Sequence, residues 1–211
     1  MVPVSHLLVF VVAAAILIAI PGPNVLFVIG RTIALGRKAG LLSVVGTSIG
    51  MFVQTIAVAL GVGAIVAQSI AALTVIKVAG ALYLVFLGIQ AIRHRARVDA
   101  PAAAVRPASP LRVVAEGFIV GVTNPKSIVF FVAVLPQFIQ PSAGAASLQL
   151  GELGAIFVIL ALGMDSVWVL SAGLARHWFA RSPRRLSRLG VAGGVMMIGL
   201  GGTLAVTGAK S

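Results

Sequence analysis

Cysteine is absent from this sequence, and side chains able to do chemistry are scarce. With no Cys, structural disulfides, thiolate metal sites and CxxC electron relays are excluded. The three His residues are scattered along the chain and form no metal-ligand cluster. No nucleophile lies at a catalytic spacing from a base. These absences argue against an enzyme or a redox carrier, and they predict neither a cofactor nor a bound metal.

Charge is also scarce: only 9% of the 211 residues are charged and 60% are hydrophobic, whereas a soluble domain is about a quarter charged. The sequence therefore predicts an integral membrane protein. Sixteen Lys and Arg against four acidic residues give a net charge of +12. A nucleic-acid binder would carry more polar surface, so this excess fits basic cytoplasmic loops that face anionic lipid.

The first apolar segment is interrupted by Pro21-Gly22-Pro23-Asn24. It runs from about Ser5 to Leu35, and at 1.5 Å per residue it would be roughly 45 Å long, too long for a straight crossing of a ~30 Å core. Proline removes a backbone donor, so the helix must break here. Such a break survives in hydrocarbon only where protein buries it or where it lines a polar cavity. A simple packing kink is the alternative.

The second half of the chain repeats this pattern. Its first apolar run, from Leu111 to Leu135, is interrupted by Asn124-Pro125-Lys126. Proline-interrupted segments at matching positions of two halves indicate a transporter binding site between inverted repeats. We therefore expect an all-α fold of two inverted three-helix repeats, residues 1–95 and 111–211, joined by a cytoplasmic linker over residues 96–110. Helices 1 and 4 are then broken by proline near the middle of the membrane.

The distribution of basic residues predicts the orientation. The turns after segments one, three and five are basic, whereas those after two and four contain no Lys or Arg. Basic turns stay in the cytoplasm, so six crossings place both termini outside. Residues 1–6 lack the positive charge of a signal peptide, so the first helix is expected to be retained. The other segments are 41–66, 71–92, 151–175 and 189–206, with a polar loop over 136–149.

Small residues spaced four apart mark two helices for close packing. They are Gly46 with Gly50 and Gly117 with Gly121, and such pairs let membrane helices approach closely. The same faces would permit a homodimer. Gln54 lies one turn after Gly50, near mid-membrane, where it either bonds a neighbouring helix or contacts a substrate.

Two ions are predicted deep in the membrane. Lys126 lies about 14 residues beyond Arg112, roughly 20 Å into the membrane, and Asp165 reaches a similar depth from the other side. A lone ion there is costly, whereas a pair that opens for substrate or a proton would act as a switch. The alternative is a permanent ion pair that only fastens two helices. Asp165 is the candidate for proton coupling, with Glu116 and Glu152 next.

Four motifs follow one another along the chain: Pro21-Gly22-Pro23-Asn24 with Gly36-Arg37-Lys38-Ala39-Gly40, Gly80-Ala81-Leu82-Tyr83-Leu84 with Gly88, Asn124-Pro125-Lys126, and Leu135-Pro136-Gln137-Phe138. In this order they resemble those of the LysE/RhtB family of amino-acid exporters, and the resemblance covers essentially the whole chain. It implies a six-helix carrier of the bacterial inner membrane that exports amino acids or close relatives, driven by the proton gradient. By position it implies a central site of Pro21, Gly22, Pro23, Asn24, Asn124, Pro125 and Lys126.

The residues lead to a similar site. A zwitterionic amino acid needs donors for its carboxylate and acceptors for its ammonium, and broken helices present both. We expect Lys126 and the backbone after Pro23 to meet the carboxylate, and Asp165 with nearby carbonyls to meet the ammonium. The alternative function, a carrier or channel for an inorganic cation, would favour several deep carboxylates, and only Asp165 lies deep.

Overall fold

The structure is a computed structural model that describes residues 2–66 and 109–175, together with single helical positions between 75 and 93 and between 188 and 202. In these parts every regular element is a helix, as the sequence predicts. The α-helices, numbered in chain order, are α1 (Val4–Ala19), α2 (Pro23–Leu35), α3 (Arg37–Val66), α4 (Pro110–Val122), α5 (Pro125–Val129) and α6 (Ala146–Leu174).

The first apolar segment is broken where the sequence predicts. Helix α1 ends at Ala19, Ile20 is extended, and Pro23 is the first residue of α2. The two helices are bent by 49° at this break. Proline fits the first position of α2 because the backbone N–H it lacks would have no helical partner there.

At the second break, unlike at the first, a side chain caps the helix that follows. Helix α4 ends at Val122, and the side chain of Asn124 caps α5 by accepting a hydrogen bond from the Lys126 backbone N–H at 3.1 Å. The bend between α4 and the helical stretch that starts at Pro125 is 43°. Asparagine is a favoured N-cap because its side-chain oxygen satisfies one of the free N–H groups of the first turn.

Helix α5 does not end in a loop. It continues through a π-helical turn, Phe130–Val134, and a 3-10 turn, Leu135–Phe138. The polar loop expected over 136–149 is therefore shorter than predicted, and α6 already begins at Ala146. Gly144 ends the loop with a φ of 116°, a conformation that favours glycine.

The buried side chain of Gln149 explains why this short loop is stable. Its Nε2 donates to the carbonyls of Gln140 and Gly144 at 2.9 and 3.0 Å, and its Oε1 accepts from the Gln140 N–H at 3.0 Å. The loop backbone is therefore satisfied from within α6. The residues around Gln149 are mostly Ala and Leu, which are strong helix formers.

Membrane-spanning character is present in each half of the described chain. Two helices are long and apolar enough to cross a membrane, Arg37–Gly61 within α3 and Ala146–Leu174, and the two bent pairs raise the number to four if each is one span. The predicted third and sixth segments, most of the linker over 96–110, and the basic stretch from Arg176 lie largely outside the described residues.

The glycine pairs of α3 and α4 face each other inside one chain. A Cβ added to Gly117 would lie 2.6 Å from the Ser43 carbonyl oxygen, and one added to Gly50 would lie 2.6 Å from that of Phe118. The two backbones therefore touch, as small residues four apart allow. Because these faces are already occupied, they are not free for the homodimer that the sequence suggested.

We expect Gly121→Ala and Gly163→Ala to change stability in opposite directions. At Gly121 the new methyl group would meet the Thr47 backbone, with Cα at 2.7 Å, whereas at Gly163 nothing lies within 4 Å. Overpacking costs about 1–3 kcal/mol, whereas Ala in place of an unpacked helical Gly gains up to about 1 kcal/mol. Thermal unfolding of the purified protein in detergent measures both changes. Equal midpoints for the two variants would contradict the α3–α4 crossing.

Candidate functional site

A small cavity lies where the two helix breaks meet. Its volume is about 30 Å³. A water molecule needs on the order of 10–15 Å³ by the same measure, so the cavity holds about two waters and excludes an amino acid. Its lining combines charged, amide and apolar side chains: Leu17, Ile18, Gly22, Asn24, Val25, Met51, Asn124, Lys126, Ser127, Phe157, Ala161 and Asp165.

Lys126 extends from the second break to the first. Its side chain is buried, with 6% exposed, and Nζ donates to the carbonyls of Leu17 and Ile20 at 2.7 and 2.6 Å. Pro21 cannot supply the N–H that would reach the Leu17 carbonyl in a continuous helix. Lys126 therefore satisfies carbonyls that the break leaves without their helical donors.

Gly22 leaves the space that the lysine stem needs. A Cβ at Gly22 would lie 2.8 Å from Cδ of Lys126, closer than side-chain carbons pack. A larger residue at this position would push the lysine stem, which comes from the other half of the chain, out of its present path.

Gln54 donates hydrogen bonds to the carbonyls at the second break, as Lys126 does at the first. Its Nε2 donates to the carbonyls of Gly121 and Val122 at 3.1 and 2.8 Å, and its Oε1 accepts from the Ser127 hydroxyl at 2.8 Å. Pro125 lacks the N–H that would reach the Gly121 carbonyl. In the structure Gln54 thus bonds a neighbouring helix, the first of the two roles considered from the sequence, and it does not line the cavity.

Asn24 is the least satisfied polar residue of the site. Its Nδ2 contacts Sδ of Met51 at 3.6 Å, a weak hydrogen bond, and its Oδ1 is buried with no partner among the described residues. A buried amide oxygen without a donor is costly. The Oδ1 atom of Asn24 is therefore an acceptor at the cavity wall that no described residue uses.

Asp165 lies in the middle of α6 and is only 2% exposed. Among the described residues, neither a hydrogen bond nor an ion pair reaches its carboxylate, and Lys126 is beyond ion-pair distance. The two side chains line the same cavity, as their predicted depths suggested, but they are not joined. The permanent Lys126–Asp165 ion pair that the sequence left as an alternative is therefore absent from this structure.

An ion cluster lies toward the other ends of α2 and α4. Glu116 pairs with Arg31 of α2 and with Arg112 of its own helix, the latter at 3.0 Å. The guanidinium of Arg31 also lies over the ring of Phe27, 5.1 Å from its centre. The cluster thus ties the two broken segments together at the end where the sequence places its basic turns.

An aromatic cluster closes the opposite side. Phe130 and Phe131 pack against Phe157 of α6 with ring centres 5.0 and 4.9 Å apart, and Phe10 of α1 packs against Phe138 at 5.3 Å. The phenylalanines at 10, 130, 131 and 157 are fully or almost fully buried. Along the broken helices, the cavity therefore lies between an apolar layer and an ionic one.

The structure separates the nine predicted site residues into two groups. Five line the cavity: Gly22, Asn24, Asn124, Lys126 and Asp165. The other four, Pro21, Pro23, Gln54 and Pro125, form or stabilise the breaks and do not line it.

Two polar or polarisable lining residues escaped the sequence analysis. They are Met51 and Ser127. Ser127 directly follows the Asn-Pro-Lys break and could have been found there, whereas Met51 has no signal in the sequence. In the described part of the chain, no three His, Cys, Asp or Glu residues gather as a metal site would require.

The sequence profile described as LysE type translocator matches residues 15–208. An uncharacterized membrane protein of Vibrio cholerae serotype O1 is 36% identical over 199 residues, 94% of this chain and 95% of that protein. The homoserine/homoserine lactone efflux protein of Salmonella typhimurium is 28% identical over 196 residues, 93% and 94% of the two chains. The leucine efflux protein of Salmonella choleraesuis is 26% identical over 182 residues, 86% and 85%. No solved structure matches this chain.

Gln54→Leu should destabilise the protein strongly. The change leaves the Val122 carbonyl without a donor among the described residues, and it removes one of two bonds from the Gly121 carbonyl and from the Ser127 hydroxyl. An unsatisfied buried group costs about 1–3 kcal/mol, and each lost hydrogen bond adds to this. Gln137→Leu is the matched control, because Gln137 is exposed and donates only within its own segment, to Ala133. Thermal unfolding and membrane yield of both variants provide the test. A Gln54→Leu protein of normal stability that has lost transport would instead assign Gln54 to the substrate.

Proposed function

This chain belongs to the LysE family of translocators, and from that membership we propose that it exports an amino acid or a close derivative from the cytoplasm, driven by the proton gradient. The relatives named for homoserine and leucine efflux support this class of substrate. The proposal makes the protein a carrier with no catalytic residue and no cofactor.

One observation carries the proposal: the cavity presents donors and acceptors for both ends of a zwitterion. Lys126 and Asp165 line it without forming an ion pair with each other or with another described residue, and Asn24 adds an acceptor that no described residue uses. Freed backbone carbonyls lie beside them. An inorganic cation would need acceptors only, so a cationic lysine at the centre disfavours it.

We assign the two ends of the substrate accordingly. Lys126 and the N–H groups at the start of α2, where the helix dipole is positive, receive the carboxylate. Asp165 and the carbonyls at the end of α1 receive the ammonium. Asp165 also exchanges the coupling proton, because a carboxylate with no fixed partner can gain a proton without breaking an ion pair.

The small volume of the cavity implies that transport needs two opening steps. A cavity of about 30 Å³ admits no amino acid, so the substrate enters only when one of its two boundaries opens. We propose that the Arg31–Glu116 pair opens to the cytoplasm, because both side chains are in partial contact with solvent, and water weakens an ion pair that it reaches. The aromatic cluster then opens on the outer side.

The described residues provide no feature that favours the alternative, a carrier for an inorganic cation. It would need several buried carboxylates, and Asp165 is the one buried acidic residue among those described. Glu116 is held by two arginines, and an Oε2 of Glu152 accepts from the Val2 N–H at 3.1 Å. Both carboxylates therefore stabilise contacts within the fold, and neither lines the cavity.

The proposed placement is the bacterial cytoplasmic membrane, with both termini in the periplasm. We retain the division into two inverted three-helix repeats, residues 1–95 and 111–211, joined by the cytoplasmic linker 96–110. Matching breaks at Pro23 and Pro125 support this division.

Expression of the wild-type protein should lower the intracellular level of its amino-acid substrate, and a protonophore should abolish the effect. Asp165→Asn should insert normally and lose export by about tenfold or more, the scale of a lost hydrogen bond to a charged group. Export of labelled amino acids, including homoserine and leucine, from preloaded cells measures this directly.

Ser166→Ala is the matched control for that experiment. Ser166 is the next residue of α6, but its hydroxyl donates to the Leu162 carbonyl of the same helix at 2.6 Å, so export should be unchanged. Accumulation of labelled amino acid against a gradient would contradict the export function. Full proton-dependent export by Asp165→Asn would remove Asp165 as the coupling residue and leave Glu116 and Glu152.

A reporter that is active only in the cytoplasm should be silent when fused after Ser211. The expected result follows from basic turns after the odd-numbered segments and neutral turns after the even-numbered ones. The same reporter inserted in the 96–110 linker should be active. Strong activity at the C-terminus would mean an odd number of crossings or the inverse orientation.

A further inference from the structure

The carbonyl groups of Leu17 and Ile20 form a convergent pair of acceptors inside the cavity. A single nitrogen, Nζ of Lys126, lies 2.7 Å from one oxygen and 2.6 Å from the other. Both oxygens therefore point at one position. The Leu17 carbonyl also accepts from the Ile20 N–H at 3.2 Å, and the Ile20 carbonyl receives no other backbone donor among the described residues.

This position suits a primary ammonium. Leu17 lies in the last turn of the 16-residue helix α1 and Ile20 directly follows the helix, so both carbonyls lie near its C-terminal end, where the helix dipole is negative. An ammonium carries three N–H donors and a positive charge, so it satisfies both oxygens at once. A quaternary ammonium has the charge but no donor, and a carboxylate has neither.

The present occupant is held by hydrogen bonds that another ammonium can replace. Lys126 makes no ion pair with Asp165 or with any other described carboxylate. Its stem passes Gly22, which has no side chain to fix it. Exchange of Lys126 for another ammonium keeps the number of hydrogen bonds to the two carbonyls unchanged.

We propose that the Leu17 and Ile20 carbonyls bind the primary ammonium of the exported molecule, and that Lys126 is an internal occupant which this ammonium displaces. The inference rests on the proposed export function and specifies its binding step. The displaced Nζ becomes free to meet the carboxylate of the same molecule. Lys126 thus leaves the ammonium site and begins to bind the carboxylate of the same substrate.

The test removes most of the Lys126 side chain and supplies the missing atoms as a separate small molecule. Lys126→Ala removes Cγ, Cδ, Cε and Nζ, and n-propylammonium contains the same three carbons and nitrogen. We expect the purified variant to be less stable than the wild-type protein and to be stabilised by n-propylammonium. Propyltrimethylammonium, which cannot donate, should bind at least about tenfold more weakly, as the loss of two hydrogen bonds implies.

Two further variants identify the atoms responsible. In Lys126→Met an apolar chain fills the space, so n-propylammonium should not stabilise it, and it should not stabilise the wild-type protein either. In Lys126→Ala with Asp165→Asn the stabilisation should be weaker, because Asp165 also faces the ammonium, but it should persist. Its complete loss there would assign the ammonium to Asp165 alone and overturn the proposal, as would equal effects of the primary and quaternary amines.

A second measurement on the wild-type protein does not depend on the folding of any variant. Cells preloaded with leucine or homoserine should export the amino acid and retain its N,N,N-trimethyl derivative. Equal export of both would overturn the ammonium site while the export function stands. A third outcome separates the two proposals. If n-propylammonium stabilises Lys126→Ala but the wild-type protein exports no amino acid, the export function is refuted and the ammonium site stands.

Discussion

The structure depends on one constraint: inside a membrane, a backbone carbonyl freed by proline must find another donor. Two prolines at the first break and one at the second remove such donors. The carbonyls of Leu17 and Ile20 are satisfied by Lys126, and those of Gly121 and Val122 by Gln54. Ile20 and Val122 each lie three residues before a helix-starting proline. Equivalent positions in the two halves are thus satisfied by different chemistry, an amine in one and an amide in the other.

This constraint also determines how closely the helices must pack. Gln54 reaches the second break only because α3 and α4 touch along their glycines, at Gly46, Gly50, Gly117 and Gly121. A larger residue at that crossing would move the amide away from its carbonyls. Close packing therefore serves the polar interactions of the site as well as the stability of the bundle. The asymmetry has a chemical consequence, since a neutral amide stays in place whereas an ammonium can be exchanged for another.

The breaks, the helical class and five cavity residues could be predicted from the sequence, because proline and glycine act locally and deep ions are rare. The partner of Lys126 could not. Charge alone favoured Asp165, but the long side chain reaches backbone carbonyls that become visible only once the path of the chain is known. The same applies to Gln54, whose partners are backbone atoms 67 and 68 residues away. The early start of α6 was missed because Gln149 satisfies the preceding loop from within the helix.

The bond between Lys126 and the first break has a consequence for how the protein is made. The ribosome completes α1 and α2 long before residue 126 exists, and in the structure the donor is 106 residues from the Ile20 carbonyl. During that interval the Ile20 carbonyl of the nascent first half lacks its donor, and lipid cannot supply one. The first broken helix must therefore remain hydrated, or in contact with the insertion machinery, until the second half arrives. Insertion of this chain is consequently completed by its fourth helical segment, which closes the gap left by the first.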